Sequence, residues 1–286
     1  SAFAKIVIDC TGDACVCAMA GAAFRLGRAF DGLPQPYSNV LELANEKGTS
    51  RYYTDSGFVD PTDGEAVSAA VIDSAIMPTH LKDFYDEDSR IMNLAPLLGV
   101  REGRLIIGEE NVTFADYLQD RVTDQPIFYA YSNLDVHNKD LAFESELHQD
   151  WVIAASLWGV NFSVPIPLGA LIPKGFDGLL AAGRALAVDH DMAACVRMKR
   201  DMQKSGEAAA IAASLSIRKQ VPLTEVPYEE LAARLRATGC LDEKNNVSIQ
   251  VPAANAAPDA GQSWLTDAAQ IREMLDALQK GDKIIT

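Results

Sequence analysis

Three stretches of the chain carry side chains suited to proton transfer or to holding an anion. In SNLDVHNKD, Asp135 stands two residues before His137. Histidine takes or gives a proton near neutral pH, and polar loops often carry function. Asp135 either orients that ring or caps a turn, and the plain alternative for His137 is a solvated loop residue. In LLAAGRALAVDHDMAACVRMKRDMQKSGEAAAIAA, residues 179–213, a small-residue strand ends at Gly183-Arg184. His190 follows between Asp189 and Asp191, then Arg197, then Ser205-Gly206 inside an alanine-rich helix. Each has a bland reading: a loop histidine, a surface charge, a small residue at a helix contact. Their order together is the stronger signal. In VREGR, Arg101 and Arg104 flank Glu102. Arg101 and Glu102 form either an internal ion pair or part of a substrate site.

The elements that must hold these groups follow from pattern. Residues 5–9, KIVID, read as a strand, and the unbroken apolar run Ile6-Val7-Ile8 predicts burial on both faces, as in a parallel sheet. The strand ends at Thr11-Gly12-Asp13. Ligands of open α/β sheets bind beyond the carboxyl ends of strands, glycine permits close backbone approach, and a following helix offers free N–H groups to an anion. A plain strand-to-helix turn would look the same. Residues 13–21 predict a short helix with Asp13 as its cap and Gly21 at its end. From about 27 to 165 the texture is α+β. RYYTDSGFVD is strand-like, GEAVSAAVIDSAI is a helix, and strands in LAPLLGV and RLIIG precede a helix capped by Thr113. Pro165, Pro167 and Pro173 punctuate extended segments. Two helices follow, RDMQKSGEAAAIAASLSIRKQ and VPYEELAARLRATG, the second with Pro227 at its start and Gly239 past its end. SIQVPAANAAPDAGQS reads as a linker and 264–281 as an amphipathic helix.

Composition narrows the class. The 286 residues are 48% hydrophobic and 23% charged, with a net charge of −15. Such acidity argues against a nucleic-acid or anionic-membrane partner, since both need Lys/Arg clusters. No apolar run reaches membrane-spanning length. Five cysteines at irregular spacing suggest no disulfide framework, and Cys15-x-Cys17 is too thin for a zinc site, so no metal is expected. A reducing cytoplasm fits these thiols. No G-x-S-x-G elbow supports a hydrolase.

Five segments in colinear order resemble the FAD-dependent oxidoreductases with the glutathione-reductase-type flavin fold. Residues 4–13 are similar to that family's strand and Ala-Thr-Gly segment, with Cys10 for Ala. Residues 98–108, LGVREGRLIIG, resemble its Gly-Val-Arg-Glu-Ser-Arg segment, with Gly103 for Ser. Residues 129–137 resemble its Asp-x-His segment. Residues 165–184 resemble its Pro-rich strand leading to Val-Ala-Gly-Arg. Residues 190–210 resemble its His…Arg…Gly-Gln-Ala-Ala-Gly segment, with Glu207 for Gln and Ala210 for the last Gly. The likeness covers roughly residues 4–240.

The resemblance implies an α/β fold with α+β parts. A Rossmann-like FAD/NAD(P)-binding domain would be built from 1–26 and 170–240. An α+β substrate domain, 27–169, would be inserted into it, and 241–286 would form a linker and helix. It implies FAD as cofactor and hydride transfer to or from a small molecule. Thr11, Gly12 and Asp13 would lie beside the adenosine diphosphate, Gly183 and Arg184 by the phosphates and ribityl chain, and Ser205-Gly206 near the isoalloxazine. Arg197 would also bind cofactor. Arg101, Arg104, Asp135, His137 and His190 would face substrate, with either histidine moving the accompanying proton. The family's Gly-x-Gly-x-x-Gly turn has no counterpart here, so the first βαβ unit is expected to be missing. That predicts a bare sheet edge, covered by an N-terminal flavin-binding chain or by self-association. The chain would then be a C-terminal portion, inactive by itself. The alternative is a non-catalytic interaction subunit with a degenerate flavoprotein fold.

Overall fold

The computed structural model describes residues 3–54, 57–75, 88–137, 149, 151–152, 159–246 and 276. It is a mixed α/β protein of small sheets and, among these residues, six α-helices. The expected linker and the helix at 264–281 lie outside the described residues, apart from Asp276.

Strand β1 (Val7–Asp9) pairs in parallel with β9 (Leu179–Ala181), Val7 opposite Leu179 and Asp9 opposite Ala181. The expectation of burial on both faces fails for β1, although its partner β9 is buried throughout. Val7 is 42% exposed and Ile8 half-buried. Among the described residues β1 has a neighbour on one side only, and an apolar run reports β propensity without saying how many strands flank it.

Asp13 does not cap the first helix, α1 (Cys15–Met19). Its N-cap is Ala14, in the left-handed region at φ 49° and without a side-chain cap. The cap comes instead from the strand before it. The carboxylate of Asp9, buried at the end of β1, accepts from the Thr11 amide (2.9 Å), the Thr11 hydroxyl (2.6 Å) and the Cys17 amide (2.9 Å). Burial, the largest single influence, pushes this carboxyl up; the bonds from Thr11 and Cys17 together outweigh it and hold it below the usual range. A carboxyl depressed in the folded state stabilises the fold above its unfolded value, and that stability is lost as pH falls through the folded value. Asp9→Asn is therefore expected to cost about 1.5–3 kcal/mol near neutrality, the range for bonds to a charged group. The gap to the parent should narrow as pH drops below about 4, where the unfolded carboxyl protonates. Urea midpoints of both proteins across that range check it; a constant gap would refute it.

Strands β3 (Val40–Asn45), β4 (Gly48–Tyr53) and β5 (Arg90–Leu94) form an antiparallel sheet in the order β4-β3-β5. The strand expected in LAPLLGV falls instead just before it, in β5. A small cluster of Tyr37, Val59 and Ala70 packs beside this region, with helix α2 (Gly64–Asp73) capped by Asp63. Short strands β2 (Phe24–Arg25) and β6 (Leu105–Ile106) pair, and α3 (Phe114–Leu118) follows, capped by Thr113 as its sequence predicts.

The main core runs from Ala14 to Leu241 and takes in β7 (Pro126–Asn133) and β8 (Asn161–Pro167), an antiparallel pair. Because each has a partner on one side only among the described residues, β8 tolerates Pro165 and Pro167, which lack an N–H to donate. Edge-to-face contacts of Phe114 with Trp151 and Phe162, both at 6.0 Å, fill the space beside it. Helices α4 (His190–Val196), α5 (Lys199–Lys219) and α6 (Tyr228–Thr238) complete the core. Helix α6 ends at Gly239, φ 78°, the left-handed position that only glycine adopts without strain.

Candidate functional site

Two turns at the carboxyl ends of adjacent parallel strands meet at one place. Gly12 (φ 78°) follows β1 and Gly183 (φ 92°) follows β9. The Gly183 amide donates to the Ser205 hydroxyl (2.8 Å), which itself donates to the Met202 carbonyl (2.7 Å). Buried Ser205 thus locks the turn from α5. Arg184 donates to the Val100 carbonyl. A Cβ placed on Gly12 would stand 3.5 Å from Arg184 Nη2, so the guanidinium lies over that turn. Burial lowers the Arg184 pKa, opposed by the charge of Asp13.

A second group is assembled from four distant segments. Helices α4 and α5 are separated by Arg197 and the extended Met198, which leaves Arg197 at the break. Its Nε donates to Gln35 Oε1 (3.0 Å); its Nη2 donates to the Asp135 carbonyl (2.9 Å) and carboxylate (3.1 Å). His137 Nε2 is 2.9 Å from the same carboxylate, and Arg101 Nη2 is 3.0 Å from His137 Nδ1. A guanidinium has no acceptor atom. Nδ1 must therefore accept, which makes His137 neutral with its proton on Nε2, donated to Asp135. Burial raises the Asp135 carboxyl; the His137 bond and the charges of Arg197 and Arg101 more than reverse that.

Behind this group lies a buried pair. Glu102 Oε2 accepts from His190 Nδ1 (2.6 Å) and from the Gln35 amide (2.8 Å), with His190 2% and Glu102 1% exposed. Gln35 Nε2 donates to the His190 carbonyl (3.3 Å). Gln35 therefore ties the buried pair to Arg197. The ion pair considered between Arg101 and Glu102 does not form by these bonds. Adjacent residues point apart, Arg101 to Pro36 O (2.6 Å) and His137, Glu102 to His190.

Both groups border a cleft of about 1120 Å³. From the sequence-predicted residues it brings together Gly12, Gly183, Arg184, Arg197 and Arg101. Apolar lining comes from Val40, Tyr53, Leu97, Leu98, Met198 and Met202, with Ser132 from β7 beside them. The others stand back from it. Thr11 bonds Asp9. Asp13 is claimed by Arg104, through the Arg104 amide and Nη1, both at 2.7 Å. Gly103 makes that contact possible, since a Cβ there would lie 2.2 Å from the Asp13 carboxylate. Ser205 and half-buried Gly206 sit on α5, Ser205 beneath the Gly183 turn. Asp135 and His137 bond the cleft arginines directly, and His190 reaches Arg197 only through Gln35. Gln35 and Ser132 carry no signal in the sequence; Gln35 shows there only as a polar residue between two prolines.

A family model described as FAD dependent oxidoreductase matches residues 1–84 and 73–235. The chain belongs to that family, and membership implies FAD binding. No curated protein matches the chain, and no solved structure does. The residues present fit the cofactor. Arginine forks and glycine backbone suit a pyrophosphate, nothing lies within 4 Å of a Cβ built on Gly183, and the volume reaches that of large ligand clefts. Among the described residues no helix is long and apolar enough to cross a membrane.

Proposed function

We propose that this chain carries one half of a Rossmann-like FAD site and that the cleft is where a hydride passes between flavin and a small organic substrate. One observation carries the reading: the ends of the paired strands β1 and β9 and the Arg101–His137–Asp135–Arg197 chain open on the same cleft. When bound, FAD supplies the two-electron chemistry. Gly12 and Gly183 let a phosphate group approach the backbone, and Arg184 supplies charge and donors to it. Arg101 and Arg197 border the substrate. Asp135, His137, Gln35, Glu102 and His190 position those two guanidiniums, so they are positioning residues. The five cysteines are free thiols, which fits a reducing cytoplasm.

The reading assigns the missing Gly-x-Gly-x-x-Gly turn to a strand laid on the free edge of β1, supplied by a preceding segment or by a separate chain. Its support is that, among the described residues, β1 pairs on one side only and Val7 is exposed. The test is the visible absorbance of the purified chain, alone and coexpressed with the region encoded just upstream. Flavin bands in the coexpressed sample alone are expected. Bands from the lone chain would overturn the shared site while keeping the flavin. A colourless protein in both samples would overturn the function.

A further inference from the structure

The cleft concentrates positive charge in an acidic protein. Among the described residues that line it, Arg101, Arg184, Arg197, Lys199 and Arg200 are cationic and none is aspartate or glutamate, while the chain as a whole carries −15. Arg184 and Arg200 each serve a contact outside the second group. Arg184 stands over Gly12, and Arg200 lies against the Tyr131 ring and 3.5 Å from Asp201. Arg197 and Arg101 belong to the second group, and Lys199 lines the same cleft. Arg197 spends Nε and Nη2 on Gln35 and Asp135, and its Nη1 has no hydrogen-bond partner among the described residues. Lys199, two residues further on, is exposed and makes no ion pair among them. Arg101 adds its charge from the Pro36 and His137 side. The like charges of Arg101 and Arg184 act on Arg197 and oppose Asp135. An incoming anion relieves that repulsion. The guanidinium is already held on two edges, so little side-chain freedom is lost on binding.

We propose that Arg197 Nη1 and Lys199, backed by Arg101, bind the carboxylate of an organic-acid substrate whose apolar body lies against Val40, Leu97 and Leu98. This rests on the cleft being the active cleft, and adds the substrate's class. A planar fork with a fixed edge suits a carboxylate better than a neutral oxygen, and the apolar wall disfavours a small inorganic ion as its natural occupant.

The test uses the full chain and calorimetric titration with matched aliphatic and aromatic carboxylates and their neutral amides. Inorganic pyrophosphate serves as the probe for the cofactor's charge. Carboxylates are expected to bind at least tenfold tighter than their amides. Arg197→Gln should remove that preference while changing pyrophosphate affinity less than threefold; Arg184→Gln should do the reverse. Circular dichroism verifies folding, and Lys199→Gln, at an exposed position, gives a second reading, with roughly threefold weaker carboxylate binding. Equal binding of acid and amide overturns the proposal. So does loss of pyrophosphate binding in Arg197→Gln, which would make the arginines one phosphate site. Flavin bound without acid preference fails this proposal alone. Acid preference in a protein that never takes flavin fails the flavin function and leaves the anion site standing.

Discussion

Arg184→Gln is expected to weaken flavin binding by roughly 10- to 150-fold, because a bond from a charged donor contributes about 1.5–3 kcal/mol. The free protein is expected to melt no lower than the parent. The two halves of this prediction share one cause. Arg184 is partly buried, its charge disfavoured by that burial and only partly compensated by Asp13, and the Arg184 charge in turn opposes that of Arg197. Among the described residues its hydrogen bond goes to the Val100 carbonyl, while Nη2 lies over the Gly12 turn. A cation kept in such a place, with no directly bonded carboxylate among the described residues, is stabilised when an anion arrives. Titration of FAD followed by flavin fluorescence, beside thermal melts of the flavin-free proteins, measures both parts. The upstream region is included if the site proves to be shared. Unchanged flavin affinity would remove Arg184 from the cofactor site, and a large drop in the melting point would make it a structural residue.

Glu102→Ala is expected to destabilise the fold by about 3–5 kcal/mol, the cost of breaking a buried pair and stranding its partner. A single oxygen, Oε2, receives both the His190 and Gln35 bonds, and the other, Oε1, is buried without a partner. That asymmetry makes Glu102→Gln the informative companion. Its carbonyl oxygen can keep both bonds, while its amide group leaves unmet donors where Oε1 stood, at a cost of about 1–3 kcal/mol. Glu102→Ala should also loosen Gln35 and thereby Arg197, so acid binding should weaken in whatever fraction stays folded. Urea unfolding of the three proteins orders them. Glu102→Ala within 1 kcal/mol of the parent would show that the pair does not hold the scaffold.

Local features were legible without a structure wherever neighbours in sequence are neighbours in space. Thr113 caps α3, Pro227 and Gly239 bound α6, and glycine ends β1 and β9, each through contacts spanning a few residues. The order of five segments pointed to an FAD-dependent oxidoreductase, and at that level the family match agrees. Charge partners were another matter. Asp13 reads as a helix cap, since it directly precedes a helix pattern, yet Arg104 takes it from 91 residues away. Arg101 and Glu102 read as a pair because they adjoin, yet they face opposite neighbours. Glu102 meets His190 across 88 residues, and Gln35 meets Arg197 across 162. The cationic cleft in an acidic chain is of the same kind, assembled from residues that folding brings together. Propensity and capping act over a turn or two and are therefore written in sequence. The choice of which carboxylate neutralises which arginine depends on three-dimensional distance and burial, and only the tertiary structure decides it.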